Sequence, residues 1–181
     1  MAQQADNSLE QRIAELQSAV RALQSAAAVG GTSVAAAAAG EVTLTGAANT
    51  AGGVGWDTSA GPSCDLFVAG GRLRIDVGAS FEVYGNKASL YVGYRVLGPT
   101  AEAADLGGAA QRVAPSYEKS ASLQDDGTGM NQLGAFSSFD LVTGLEPGWY
   151  RVALAYALTY SGTSGAPYGI ATARRLAVTR Y

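Results

Sequence analysis

From Leu9 the apolar residues recur as Leu9, Ile13, Leu16, Val20, Leu23 and Ala27, at alternating spacings of four and three. That is the heptad rhythm of a coiled coil, with Ile13, Val20 and Ala27 at a positions and the leucines at d. The residues between are mostly Gln, Glu, Arg, Ser and Ala, which suit a solvated helical face. Asn7 or Ser8 caps the start, and Gly30-Gly31 ends the run. A helix lying on its own domain would show a wider apolar face than this narrow seam. The pattern therefore predicts an oligomerisation helix over residues 1–29, associating through Leu9, Arg12, Ile13, Leu16, Val20 and Leu23.

β-branched residues at a with Leu at d favour two strands. Against this, Arg12-Ile13-Ala14-Glu15-Leu16-Gln17 resembles the Arg-apolar-x-x-apolar-Glu pattern of short trimeric coiled coils, with Gln17 in place of the Glu. A homotrimer is expected, with a dimer as the alternative. Residues 30–40 follow as a Gly/Ala-rich linker, either a flexible connector or small residues packed between subunits.

After Glu41 the period changes to 2. Val42 and Leu44 alternate with threonines; Leu73, Ile75 and Val77 alternate with Arg72, Arg74 and Asp76; Leu90, Val92, Tyr94 and Val96 form another run. Gly85-Asn86-Lys87 and Asp125-Asp126-Gly127 read as turns. The longest strand runs from Trp149 to Tyr160, with Tyr150, Val152, Leu154, Tyr156, Leu158 and Tyr160 on one face. About eight strands joined by Gly-rich turns, with no helical period between them, predict a mainly β fold. The expectation is an antiparallel β-sandwich over residues 41–181, jelly-roll or immunoglobulin-like, with a closed barrel as the alternative. Leu145-Glu146-Pro147-Gly148-Trp149-Tyr150 resembles the tyrosine corner of such sandwiches, in which a Tyr hydroxyl bonds nearby backbone.

Composition narrows the chemistry. Only 15% of residues are charged, the net charge is −3, and 24 glycines fit a turn-rich chain. This gives no electrostatic footprint for nucleic acid. The absence of histidine removes the commonest general base and metal ligand. With a single cysteine, Cys64, no internal disulfide or multi-Cys zinc site forms, and its apolar setting predicts a small buried side chain. Asp125 and Asp126 are adjacent in a turn, where neighbours point apart into solvent, so neither catalysis nor a calcium site is expected there. Trp56 beside Asp57 suits sugar stacking and hydroxyl recognition, the main candidate ligand contact; the blander account is a Trp closing the sandwich end. Arg72, Arg74, Arg174 and Arg175 read as solvated strand faces. No catalytic residue, metal or cofactor is expected. The N-terminus lacks the regions of a signal peptide, and no window is apolar enough to span a membrane.

Heptads, joint and sandwich, with the phrases Gly70-Gly71-Arg72-Leu73-Arg74-Ile75-Asp76-Val77, Val142–Gly148 and Ala173–Val178, together resemble virion structural proteins of tailed bacteriophages. The likeness is to minor tail, fibre and head-decoration proteins of actinobacterial phages. It implies a homotrimer assembled in the host cytoplasm, docked on other virion proteins of capsid or tail. It further implies a role in particle stability or in contact with the host surface; the alternative function is a carbohydrate-binding module that uses Trp56 and Asp57 on a host-surface glycan.

Overall fold

A computed structural model describes residues 33–48, 51–59, 61–85, 87–127, 131–162 and 165–181. The heptad segment, with Leu9, Arg12, Ile13, Leu16, Val20 and Leu23, lies outside the described residues. Within them the strands are β1 (Ser33–Ala38), β2 (Val42–Thr45), β3 (Gly52–Asp57), β4 (Ser63–Val68), β5 (Gly71–Tyr84) and β6 (Ser89–Thr100). They continue as β7 (Gln111–Val113), β8 (Ala121–Gln124), β9 (Gln132–Leu145), β10 (Gly148–Tyr160) and β11 (Tyr168–Arg180). Short 3₁₀ turns cover Ala103–Gly108 and Tyr117–Lys119.

All pairings are antiparallel. One sheet runs β1-β11-β5-β9 with β2 beside β1 on β11; the other runs β3-β10-β6-β7, with β4 on β10 and β8 on β6. The pairs β1/β2, β3/β4 and β7/β8 each act as one interrupted strand. The result is two sheets of four, and every connection crosses between them except that from β6 to β7. This is the order of a jelly roll.

Alternation explains the packing. Leu73, Ile75, Val77, Ala79, Phe81 and Val83 of β5 face Leu90, Val92, Tyr94 and Val96 of β6 and the Tyr150–Leu158 row of β10, all buried. Each fully buried large side chain contributes about 1.5–3 kcal/mol over its exposed state. The tyrosine corner is present: the Tyr150 hydroxyl donates to the Glu146 carbonyl at 2.9 Å, pinning the β9–β10 crossover.

Two expectations are corrected. Ser33–Ala38, inside the predicted linker, is an edge strand in register with Thr179–Arg174 of β11. Alanines give no alternation to read, and the pairing comes from β11's free hydrogen-bonding edge. Arg174, expected to be solvated, is 6% exposed. A bulge between Thr172 and Arg175, with Ala173 at φ 46°, shifts the alternation and turns Arg174 inward.

The register fixes two poles. Ser33 pairs with Thr179 and Gly71 with Leu145, so the start of β1, the β4–β5 and β9–β10 turns and Tyr181 share the lower pole. The strand ends at Thr45, Tyr84, Gln124 and Tyr160 lie at the upper pole, where Tyr168 pairs with Tyr84 and Ser89 with Gln124.

Candidate functional site

Trp56 and Asp57 sit at the end of β3 and point to opposite faces by alternation; a bulge against Tyr156–Leu158 of β10 puts Asp57 on the inner one. Trp56 lies on the outer face of its sheet, over Gly93: a β-carbon there would come within 3.0 Å of the indole. Its ring meets Tyr117 at 5.2 Å, and Tyr117 meets Tyr91 edge-on at 4.7 Å. This trio covers a floor of Gly93, Ala155 and Ala157, which explains two fully buried alanines on an outer face. Tyr117 is 47% exposed, so the trio presents one open aromatic surface. Beside it, Arg95 Nη2 donates to the Thr58 carbonyl at 3.0 Å.

Asp57 pairs across to Tyr156 and so shares the inner face. Its Oδ1 accepts from the Ser59 hydroxyl at 2.6 Å and the Ser59 N–H at 2.8 Å. Those two bonds, the hydroxyl's first, hold its pKa below the ordinary carboxylate value despite some burial. Behind it the buried Tyr156 hydroxyl accepts from Arg174 Nη1 at 3.3 Å, and Arg174 Nε donates to the Gly40 carbonyl at 3.2 Å. Burial raises the Tyr156 pKa although Arg174 opposes it. The structure thus places Trp56 in an aromatic surface and Asp57 in a structural turn, rather than bringing the two together.

A second polar group crosses the open side of the sandwich. Tyr94 donates to Asp140 Oδ2, which also pairs with Lys119 Nζ at 2.9 Å. Burial, then the bond to Asp140, pushes the Tyr94 pKa well above its ordinary value. Burial pushes Asp140 the other way from its net shift; the Tyr94 hydroxyl and Lys119 outweigh it and hold the carboxylate low.

Asp125 departs from its predicted solvated turn: it is 1% exposed, with Oδ1 accepting from the Gly127 N–H at 3.2 Å. Cys64 is buried at 3% exposure, as its apolar setting predicts, and burial raises its thiol pKa. Among the described residues no three His, Cys, Asp or Glu side chains group to hold a metal, and no helix is long and apolar enough to cross a membrane.

The outer row of β9 is the largest feature that alternation alone did not single out. Leu133, Ala135, Ser137, Phe139 and Leu141 all face solvent, with Leu133 at 73% and Phe139 at 63% exposure. Arg74 lies over the Phe139 ring at 4.8 Å.

No protein-family model matches the chain, and no curated protein does. Solved structures match. A chain of infectious bursal disease virus, strain Gx, superposes with a TM-score of 0.51 at 15% identity, over 83% of this chain and 31% of that one. The family 35 carbohydrate-binding module of Clostridium thermocellum gives a TM-score of 0.31 at 11% identity, over 83% and 99% of the two chains. The enzymatically active domain of tailspike protein 4 of bacteriophage CBA120 gives 0.31 at 13% identity, over 80% and 19%. The chain spans under a third of the bursal disease virus chain it matches, and the likeness between them is one of fold.

The signal for the aromatic surface was present in part. Trp56 stood out as a rare residue, but its partners lie 35 and 61 positions away, at Tyr91 and Tyr117. Sequence alone does not join them.

Proposed function

We propose that the chain is a non-enzymatic structural component of a virus particle, of the tailed-bacteriophage fibre, minor-tail or head-decoration kind. In this reading the heptads of residues 1–29 gather three copies, and the sandwich projects from capsid or tail. The observation that carries it is the outer row of β9: a long sheet edge left apolar suits a molecule whose working state is an assembly. The fold likeness to the bursal disease virus chain supports it. So does a sequence without histidine whose candidate carboxylate, Asp57, is tied up by Ser59. Light scattering of the full chain at micromolar concentration tests it: a mass of about three times 18.3 kDa is expected. A monomer overturns it. Mass spectrometry of separated heads and tails then assigns its place and its virion partners.

A second reading rests on the Trp56–Tyr117–Tyr91 surface, which has the chemistry of a sugar-stacking platform. It makes the projecting domain a carbohydrate-binding module for a host-surface glycan. A glycan array in which Trp56→Ala abolishes binding supports this; binding that Trp56→Ala leaves unchanged removes it.

A further inference from the structure

We infer that the outer row of β9 is the surface on which copies of this chain pack side by side, around an axis parallel to the strands. Of six large apolar side chains left exposed among the described residues, four lie on β9: Leu133, Phe136, Phe139 and Leu141. Leu133, Phe139 and Leu141 stand in one line along about 27 Å of strand, and Phe136 turns over the same edge against Phe81. Edge strands that face water are ordinarily guarded by lysine, proline or a charge. β9 has a bulge at its end, between Val142 and Leu145, but no lysine, proline or charge on its outer row. Its one ionisable residue, Asp140, is turned inward and held by Tyr94 and Lys119, which leaves the outer row without a charge.

The occupant is a second copy, an argument that rests on the oligomeric reading above. Residues 1–32 precede β1, and β1 begins at the lower pole. Any parallel bundle of the heptads therefore gathers the domains by their lower poles, with strand axes alongside one another. A ridge that runs along the strand axis is the part of each domain that meets a neighbour over its whole length. A twofold pairing of one β9 edge on another would put the lower poles at opposite ends and pull the heptads apart. Beside Phe139, Arg74 and Asp76 neutralise one another at 2.9 Å; beside Leu133, the Glu82 carboxylate is held by Asn131 and Tyr168.

Size decides how the contact works. A stable interface between free proteins buries about 800 Å² on each partner, and a single row of five residues falls well short. The domains therefore associate weakly by themselves. The tether supplies the effective concentration that makes the contact form. This predicts a domain contact that follows stalk assembly rather than driving it.

The test uses the full chain carrying Phe139→Cys, with Leu141→Cys as a second ridge position and Ser122→Cys, exposed on the opposite sheet, as control. The native Cys64 is buried and does not interfere. Under mild diamide oxidation the two ridge variants should form inter-chain disulfides roughly tenfold faster than the control, as tethered thiols at high effective concentration do. Light scattering on the same samples reports the oligomer. An oligomer whose ridge variants cross-link no faster than Ser122→Cys overturns the contact and leaves the oligomeric reading standing. A monomer overturns both.

Discussion

The Tyr150 hydroxyl reaches back four residues to the Glu146 carbonyl, at 2.9 Å, across the turn that carries the chain from one sheet to the other. Tyr150 is fully buried while Glu146 is exposed, so the bond is part-buried and ties an exposed turn to the core. Tyr150→Phe should cost about 1–2 kcal/mol with no change of fold, read as a lower urea midpoint at an unchanged slope. A loss below about 0.5 kcal/mol would mean that Pro147 and the strands fix the crossover without it.

Asp140 makes stability depend on pH. Its folded pKa lies below the ordinary aspartate value, so its contribution is complete above the unfolded pKa and fades as pH falls through the folded one. Tyr94 has the opposite sense: with its pKa raised, its contribution is complete below pH 10 and is lost as pH rises beyond it. Denaturation curves of Asp140→Asn should lie below the parent by about 1–3 kcal/mol at neutral pH and converge on it as pH falls through the lowered carboxylate pKa. A constant gap down to the lowest pH would place the effect elsewhere.

Ala173 occupies the left-handed region at φ 46° to let Arg174 turn inward. A β-carbon there costs roughly 1–2 kcal/mol, part of which glycine returns as chain entropy. Ala173→Gly should raise stability by about 0.5–1 kcal/mol, seen as a higher melting temperature. A fall would show that the bulge holds no strain.

Gly61 has φ 116°, and a β-carbon there would fall on the Tyr156 hydroxyl that Arg174 holds. Gly61→Ala should destabilise by more than about 2 kcal/mol, measured by urea unfolding. In the double variant Gly61→Ala/Tyr156→Phe, part of that loss should return, because the clashing oxygen is gone.

Much of the sandwich is legible in the chain because β5, β6 and β10 alternate cleanly between Tyr, Val, Leu or Ile and smaller or polar residues. Tyr150 was legible for another reason: Pro147-Gly148 marks its turn. What escaped has particular causes. Ser33–Ala38 pairs through backbone atoms, and its alanines carry no periodic signal. Arg174 and Asp57 sit at bulges, where one extra residue reverses the side on which a side chain falls. Trp56 was legible as a candidate, but the aromatic surface around it depends on Tyr117 arriving from a 3₁₀ turn. The β9 ridge was hidden because Leu133, Phe139 and Leu141 look like core residues until the sheet order puts β9 at an edge.

The pairing of β1 with β11 has a mechanical consequence. β1 enters the fold at the lower pole and runs along β11 from Ser33–Thr179 to Ala38–Arg174. A pull on the N-terminal side along the strand axis would load those backbone bonds together, sideways to their length, instead of opening them one after another. Drag on a projecting domain would then meet a strand in shear, and six plain residues would resist it through their main chain, whatever their side chains are.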